Sequence, residues 1–216
     1  MSEYVNKTKI LLWVSVVYVL SFICYVPTLL ERYGIVFANG LLFLKYFFVC
    51  IPALTSAVLL LCECNLKSYL ARMFSGKIAV KHFLTFVIFT LAGITTYCCY
   101  SIITGANVFQ NAYSSVTSLL TGCIYLFITA FAEETAWRGF LLERVPFKEK
   151  SSVIFVGVIW AVWHMPMWII RNLLGTWEII CLCIWTVLVS VVLGMTYYQC
   201  RNILLIAMLH AAFNLF

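Results

Sequence analysis

The chain has 216 residues, 64% of them hydrophobic and only 10% charged, with a formal net charge of +6 and a mean hydropathy of +1.03. An ordinary soluble domain is about 25% charged, so a soluble globular protein is excluded and the composition is that of a polytopic membrane protein. The basic excess does not call for nucleic acid, because Lys and Arg flanking membrane helices are what topology alone requires.

The first apolar run, Ile10 to Leu30, holds 21 uncharged residues. That is long enough to span a bilayer (about 20 residues) and longer than the apolar part of a cleaved signal peptide (about 7–15). Further helices are predicted over about 41–62, 83–104, 116–141, 153–171, 178–200 and 202–216. Between them stand turn or charge signals: Glu31 to Gly34, the polar stretch Glu63 to Lys81, Gly105 to Asn107, Arg144 to Ser152, Asn172 to Thr176, and Arg201. There is no internal repeat and no separate soluble domain. The expected fold is therefore all-α: one integral-membrane domain, residues 1–216, built as a transmembrane bundle of about seven helices.

Orientation follows from the basic residues. With the N-terminus cytoplasmic, Lys7, Lys9, Lys67, Arg72, Lys77, Lys81, Arg144, Lys148, Lys150 and Arg201 lie inside. Only Arg32, Lys45 and Arg171 lie outside, where Lys45 and Arg171 are expected to snorkel to headgroups. The expected location is a cell membrane, crossed several times. The ten cysteines all fall in or at the ends of apolar runs and lack the CxxC spacing of a zinc knuckle, so they read as small hydrophobes.

One stretch resists a packing explanation. Residues 82–132 carry no formal charge, and Glu133 and Glu134 end the run. A charge deep in a bilayer costs roughly 2.5–3.5 kcal/mol on insertion scales and is usually functional. Arg138, His164, and His210 with Asn214 are the other polar groups within apolar segments. From helix rise, Glu133, His164, His210 and Asn214 lie roughly 15, 18, 14 and 20 Å from the cytoplasmic ends of their helices. Three helices thus bring ionisable or amide groups to one level.

Spacing refines this. Glu134 and Arg138, Trp160 and His164, and His210 and Asn214 are each i,i+4 neighbours sharing a helix face. Adjacent glutamates point about 100° apart. Glu134 is therefore expected to pair with Arg138 while Glu133 faces a cavity as a general base. Ala207 and Ala211, one turn apart, would let a neighbouring helix approach closely. The bland alternative is a structural polar network between helices, for which Ser, Thr or Asn would serve at lower cost. His82 reads as an interfacial residue.

These residues resemble a known pattern. Glu133-Glu134-Thr-Ala-Trp-Arg138 is similar to the EExxxR motif of the CAAX-protease and bacteriocin-processing (CPBP, or Abi) family of intramembrane endopeptidases. Trp160-Ala-Val-Trp-His164 resembles its FxxxH motif, with Trp in place of the usual Phe, and His210-Ala-Ala-Phe-Asn214 its HxxxN motif. The resemblance covers about residues 116–216, leaving 1–115 as accessory helices.

It implies an endopeptidase cutting within the bilayer on the cytoplasmic side. Glu133 would activate water, His164 would position it, His210 and Asn214 would donate to the oxyanion, and Glu134 and Arg138 would support them. The substrate would be a membrane-associated peptide or protein. The short loops and small size look bacterial, where prenylated CAAX proteins are not expected. Zinc would need Glu133, His164 and His210 as ligands, but HExxH is absent and Asn214 is a poor fourth ligand. A metal-free mechanism with no cofactor is therefore favoured. The competing function is a non-catalytic scaffold or bacteriocin-immunity protein binding a partner through the same core. A proton-coupled transporter ranks last, since the ionisable groups sit in one half of the chain. The segment 202–216 is about 22 Å long and too short to cross a ~30 Å core, so its end is expected near the site.

Overall fold

The computed structural model describes residues 7–31, 33–35, 43–104, 115–170 and 176–214. Arg32, Arg171 and the breaks at Gly105–Asn107 and Asn172–Gly175 lie outside the described residues, so the expectations placed on them stay with the sequence. The elements are α1 (Lys7–Glu31), α2 (Ile51–Cys62), α3 (Leu66–Met73), α4 (Val80–Thr104), α5 (Val116–Glu134), α6 (Glu149–Ile170), α7 (Thr176–Cys200) and α8 (Ile203–Phe213). No strand occurs among the described residues. Among the described residues, five helical stretches are long and apolar enough to cross a membrane: Lys7–Glu31, Leu44–Cys62, Val116–Leu142, Glu149–Ile170 and Thr176–Cys200. Their outward faces stay apolar, as at Leu11, Ile128 and Leu188, all more than half exposed. A polytopic helical bundle is what the composition required.

Three boundaries differ from the sequence expectation, each for a local reason. The segment expected as one helix over 41–62 enters through two 3₁₀ turns, Phe43–Tyr46 and Phe48–Cys50, before α2 begins with Pro52 in its first turn. Proline fits there because its missing N–H is among the donors a helix start leaves unbonded. The polar stretch 63–81 is not all loop. It holds α3, whose Tyr69 and Met73, one turn apart, are buried against the core. Eight residues were too few for periodicity to stand out. Finally, the helix expected to run to 141 changes at Thr135 into a π-helical turn, Thr135–Leu142. There the Thr135 hydroxyl bonds back to Ala132 O at 2.7 Å, and the Tyr69 hydroxyl donates to Thr135 O. These two side chains occupy carbonyls of the ladder where it widens. Gly139 lets α3 approach the turn, since a Cβ there would meet Met73 Sδ at 2.5 Å.

The N-terminal helices are bound closely to the core. Trp13 of α1 donates to Ser56 of α2 at 3.0 Å, and Trp163 of α6 donates to Ser21 of α1 at 2.9 Å. Tyr18 donates to Ile159 O at 2.6 Å. Trp13, Trp137 and Trp163 pack edge to face with centroids 5.3 and 5.4 Å apart, and none is more than 1% exposed. Aromatic pairs of this geometry add about 0.5–1.5 kcal/mol each beyond burial. Here they wedge α1 against the π turn.

One end of the bundle gathers the charges. Lys9 and Arg144 both reach Glu63, at 2.7 and 3.5 Å, and Arg201 pairs with Glu143. The Lys9 ammonium, aided by Arg144, holds the Glu63 carboxyl below the usual carboxylate range. At the same end α7 reverses into α8 through Arg201, which adopts a left-handed φ of 45°. Asn202 then caps α8 by accepting from Leu205 N–H at 3.2 Å. Gly76 is pressed onto this reversal. A Cβ there would lie 1.6 Å from Cys200 O, and its N–H donates to Arg201 O at 3.2 Å. The reversal sets where α8 starts, and hence the depth of His210. His82, read as interfacial, is buried at the start of α4 and accepts the Ala79 N–H at 3.2 Å.

Small residues govern two crossings. Ala130 of α5 meets Ala207 and Ala211 of α8, the close approach that their spacing suggested. Gly157 of α6 faces Ser190 of α7, and an added Cβ would lie 2.9 Å from Ser190 Cβ and 3.3 Å from Val187 Cα. Overpacking a tight site costs about 1–3 kcal/mol. Gly157→Leu should therefore lower the thermal unfolding midpoint in detergent clearly; an unchanged midpoint would show that this crossing has room to spare.

Candidate active site

The polar residues of α5, the π turn, α6 and α8 converge. Glu134, fully buried, is the centre. Its Oε1 accepts from Arg138 Nη1 and from His210 Nδ1, each at 2.7 Å. Arg138 is 0% and His210 2% exposed. The Arg138 guanidinium also lies over the Trp160 ring, 4.6 Å from its centroid. One carboxylate thus neutralises the buried cation on its own segment and ties down the imidazole of α8.

Glu133, on the next helical position, points elsewhere. Its Oε2 accepts the Trp160 Nε1–H at 2.8 Å. His164 Nε2 stands 3.9 Å from the same oxygen, too far for a direct hydrogen bond. The Nδ1 of His164 lies 2.9 Å from Trp160 O. A carbonyl oxygen only accepts, so Nδ1 carries the hydrogen, and the neutral ring presents the lone pair of Nε2. The pair Glu133 Oε2 and His164 Nε2 is two acceptors facing one space.

Trp160 has more to do than the sequence revealed. Standing where the motif usually has Phe, it brings an indole N–H as well as a larger ring. Its edge donates to Glu133, its face takes Arg138, and its ring packs edge to face with His164 and His210 at 5.2 and 5.1 Å. The readable signal was the indole N–H itself, since a buried Trp normally finds a partner for it.

Glu133, Trp160, His164, His210 and Asn214 all line a cavity of about 440 Å³. This is within the usual range for small-ligand sites, roughly 300–1,000 Å³. Asn214 is the least firmly held of the set. It ends α8, its backbone N–H donates to His210 O at 3.1 Å, and it is exposed. Other lining residues come from α5 from its middle onward (Tyr125, Leu126, Thr129), from the second half of α6, mostly from the first half of α7, and from the 3₁₀ entry, including Lys45. The cavity therefore extends away from the end that carries Arg144, Lys148, Lys150 and Arg201. If the basic end is cytoplasmic, a cytoplasmic entrance to this cavity does not follow.

The donor set suits zinc poorly. Among the described residues no group of three His, Cys, Asp or Glu side chains is arranged to share one metal ion. Of the candidate ligands Glu133, His164 and His210, the last already gives Nδ1 to Glu134. The ten cysteines are free thiols.

Removing one member of a buried ion pair leaves the other uncompensated, at a cost of about 3–5 kcal/mol. Arg138→Met should therefore give poor yield and a sharply lower unfolding midpoint in detergent. A variant that melts with the parent would mean that Glu134 and His210 do not need the guanidinium.

Residues 115–216 match the family model for type II CAAX prenyl endopeptidases, Rce1-like. A search of the curated proteins finds no match. The matched region contains all seven residues of the site, from Glu133 to Asn214, together with α5, the π turn and α6 to α8. The chain's similarity to the Rce1-like type II CAAX prenyl endopeptidase family is thus carried by its C-terminal region, residues 115–216, which holds the site.

Proposed function

We propose that this protein is an intramembrane endopeptidase that hydrolyses a peptide bond of a membrane-associated peptide or protein by a glutamate-dependent, metal-free mechanism. The observation carrying this is the pair of acceptors, Glu133 Oε2 and His164 Nε2, 3.9 Å apart on the cavity wall. A single water can donate one hydrogen to each. Its oxygen then points a lone pair into the cavity, where a substrate carbonyl would lie.

As that oxygen attacks the carbonyl carbon, Glu133 takes the proton. The C–N bond then breaks, and the same proton passes to the leaving amine. The Trp160 N–H keeps the Glu133 carboxylate oriented throughout. Asn214, which lines the same cavity, supplies an amide donor to the oxyanion. His210 can reach it only through Nε2, because Nδ1 is held by Glu134, and Nε2 donates when both ring nitrogens carry hydrogen. A well-placed oxyanion donor contributes about 2.7–4 kcal/mol. Glu134 and Arg138 are positioning residues. With the N-terminus cytoplasmic, as the charge bias argues, substrate would reach this cavity from the opposite side of the membrane or laterally from lipid.

Glu133→Gln keeps size and the Trp160 contact but has no base. Cleavage of a reporter peptide by purified protein should fall at least about 100-fold, the scale of general-base catalysis, with folding intact. Cleavage that survives would remove Glu133 from the chemistry, and partner binding that survives without any wild-type cleavage would favour a scaffold. Activity should also persist in excess chelator; loss that added zinc restores would establish a metal mechanism.

A further inference from the structure

Beyond the reacting groups, one other formally charged residue among the described residues lines the cavity, Lys45. Snorkelling to headgroups was its expected role. Instead it is half-buried and lines the same cavity as Glu133, with its ammonium 5.5 Å from the centroid of the Tyr46 ring. Among the described residues no carboxylate pairs with it. The remaining lining is mostly aromatic and apolar, including Tyr46, Trp168, Trp185 and Phe213. A lone cation in such surroundings is a strong handle for an anion, because little water competes there.

Lys45 is also firmly placed. It sits on a 3₁₀ turn, three residues before Phe48. Phe48 is 1% exposed and stacks on Trp163 with centroids 3.9 Å apart and planes 10° apart. The same ring lies 6.4 Å from His164. Three residues of 3₁₀ helix advance about 6 Å. Lys45 and the Glu133–His164 pair thus line one cavity, which a few extended peptide residues at about 3.3 Å each would bridge.

We propose that Lys45 is a specificity-determining residue that binds a carboxylate of the substrate peptide, either its terminal α-carboxylate or an acidic side chain, a few residues from the scissile bond. The inference rests on the reading of this cavity as a peptide site. It gives the cavity a direction, with a basic catalytic carboxylate at one end and a fixed cation at the other. A peptide lying the wrong way round would bring no anion to Lys45.

The test uses full-length Glu133→Gln protein in phosphatidylcholine nanodiscs, which binds without cutting. The probes are one short, dye-labelled apolar peptide as the free acid, as the C-terminal amide, and as the amide with one Asp near its end. The free acid, the Asp peptide or both should bind about tenfold tighter than the neutral amide, the scale of one charge-assisted hydrogen bond. That preference should vanish with Lys45→Gln added and survive with Lys45→Arg. In the enzyme with Glu133 intact, Lys45→Gln should raise KM for the preferred peptide and leave kcat. Equal binding of all three peptides, or a preference that survives Lys45→Gln, would overturn the proposal. So would a Lys45→Gln effect that appears only in discs containing phosphatidylglycerol, which would assign Lys45 to lipid headgroups. Cleavage without carboxylate preference would sink this proposal alone. Carboxylate-dependent binding with no cleavage by the wild type would sink the peptidase reading instead.

Discussion

The Glu134 carboxylate carries the site. A bilayer offers no water to solvate it, so a carboxylate and a guanidinium can be kept there only by satisfying each other. Oε1 of Glu134 does this twice, for Arg138 within its own segment and for His210 from α8. The second bond matters most for the fold. With eleven residues, α8 is about 17 Å long and too short to cross a bilayer. It is held instead by its cap at Asn202, by alanine contacts with α5, and by this imidazole–carboxylate bond.

Because Oε1 of Glu134 takes both Arg138 and His210, Glu133 is released from charge compensation. The two adjacent carboxylates thereby acquire different environments without any difference in chemistry. Trp160 enforces the separation. Its face covers the Arg138 cation, while its edge reaches Glu133. A phenyl ring could do the first of these and not the second. The π turn beginning at Thr135 makes this arrangement part of the backbone, since it follows directly on the glutamates and is braced by Tyr69 from α3 and by the Trp13–Trp137–Trp163 cluster from α1 and α6. π-helical turns are rare and are often found at functional sites. Here the N-terminal helices support that turn directly, so they are more than an attached half.

The cavity's direction sets the two topological expectations against each other. Lys and Arg gather at the end where α5 gives way to α6 and α7 to α8, around Glu63, Glu143 and Arg201. That end is closed by packing: Gly76 lies against the Arg201 reversal and Gly139 against Met73. The open volume lies toward the other end, where Trp168, Trp185 and Lys45 stand. The charge bias and the direction of access are separate properties of the chain, and the charge bias alone does not place the entrance.

The membrane solvent, the helical class and the level at which the polar groups meet are all legible in the chain. Composition required a membrane, helix rise brought Glu133, His164 and His210 to a common depth, and i,i+4 spacing paired Glu134 with Arg138. All of these are one-dimensional properties that a regular helix preserves. Which atoms touch is instead fixed by packing between distant segments. The widening at Thr135 depends on Tyr69, 66 residues away. The hydrogen bond from Trp160 to Glu133 spans 27 residues, and that from His210 to Glu134 spans 76. Lys45 faces the cavity because Phe48 is clamped under Trp163. Contacts of that range depend on how helices rotate and cross, which is set by the packing of small and aromatic residues between them and leaves no periodic trace in the chain.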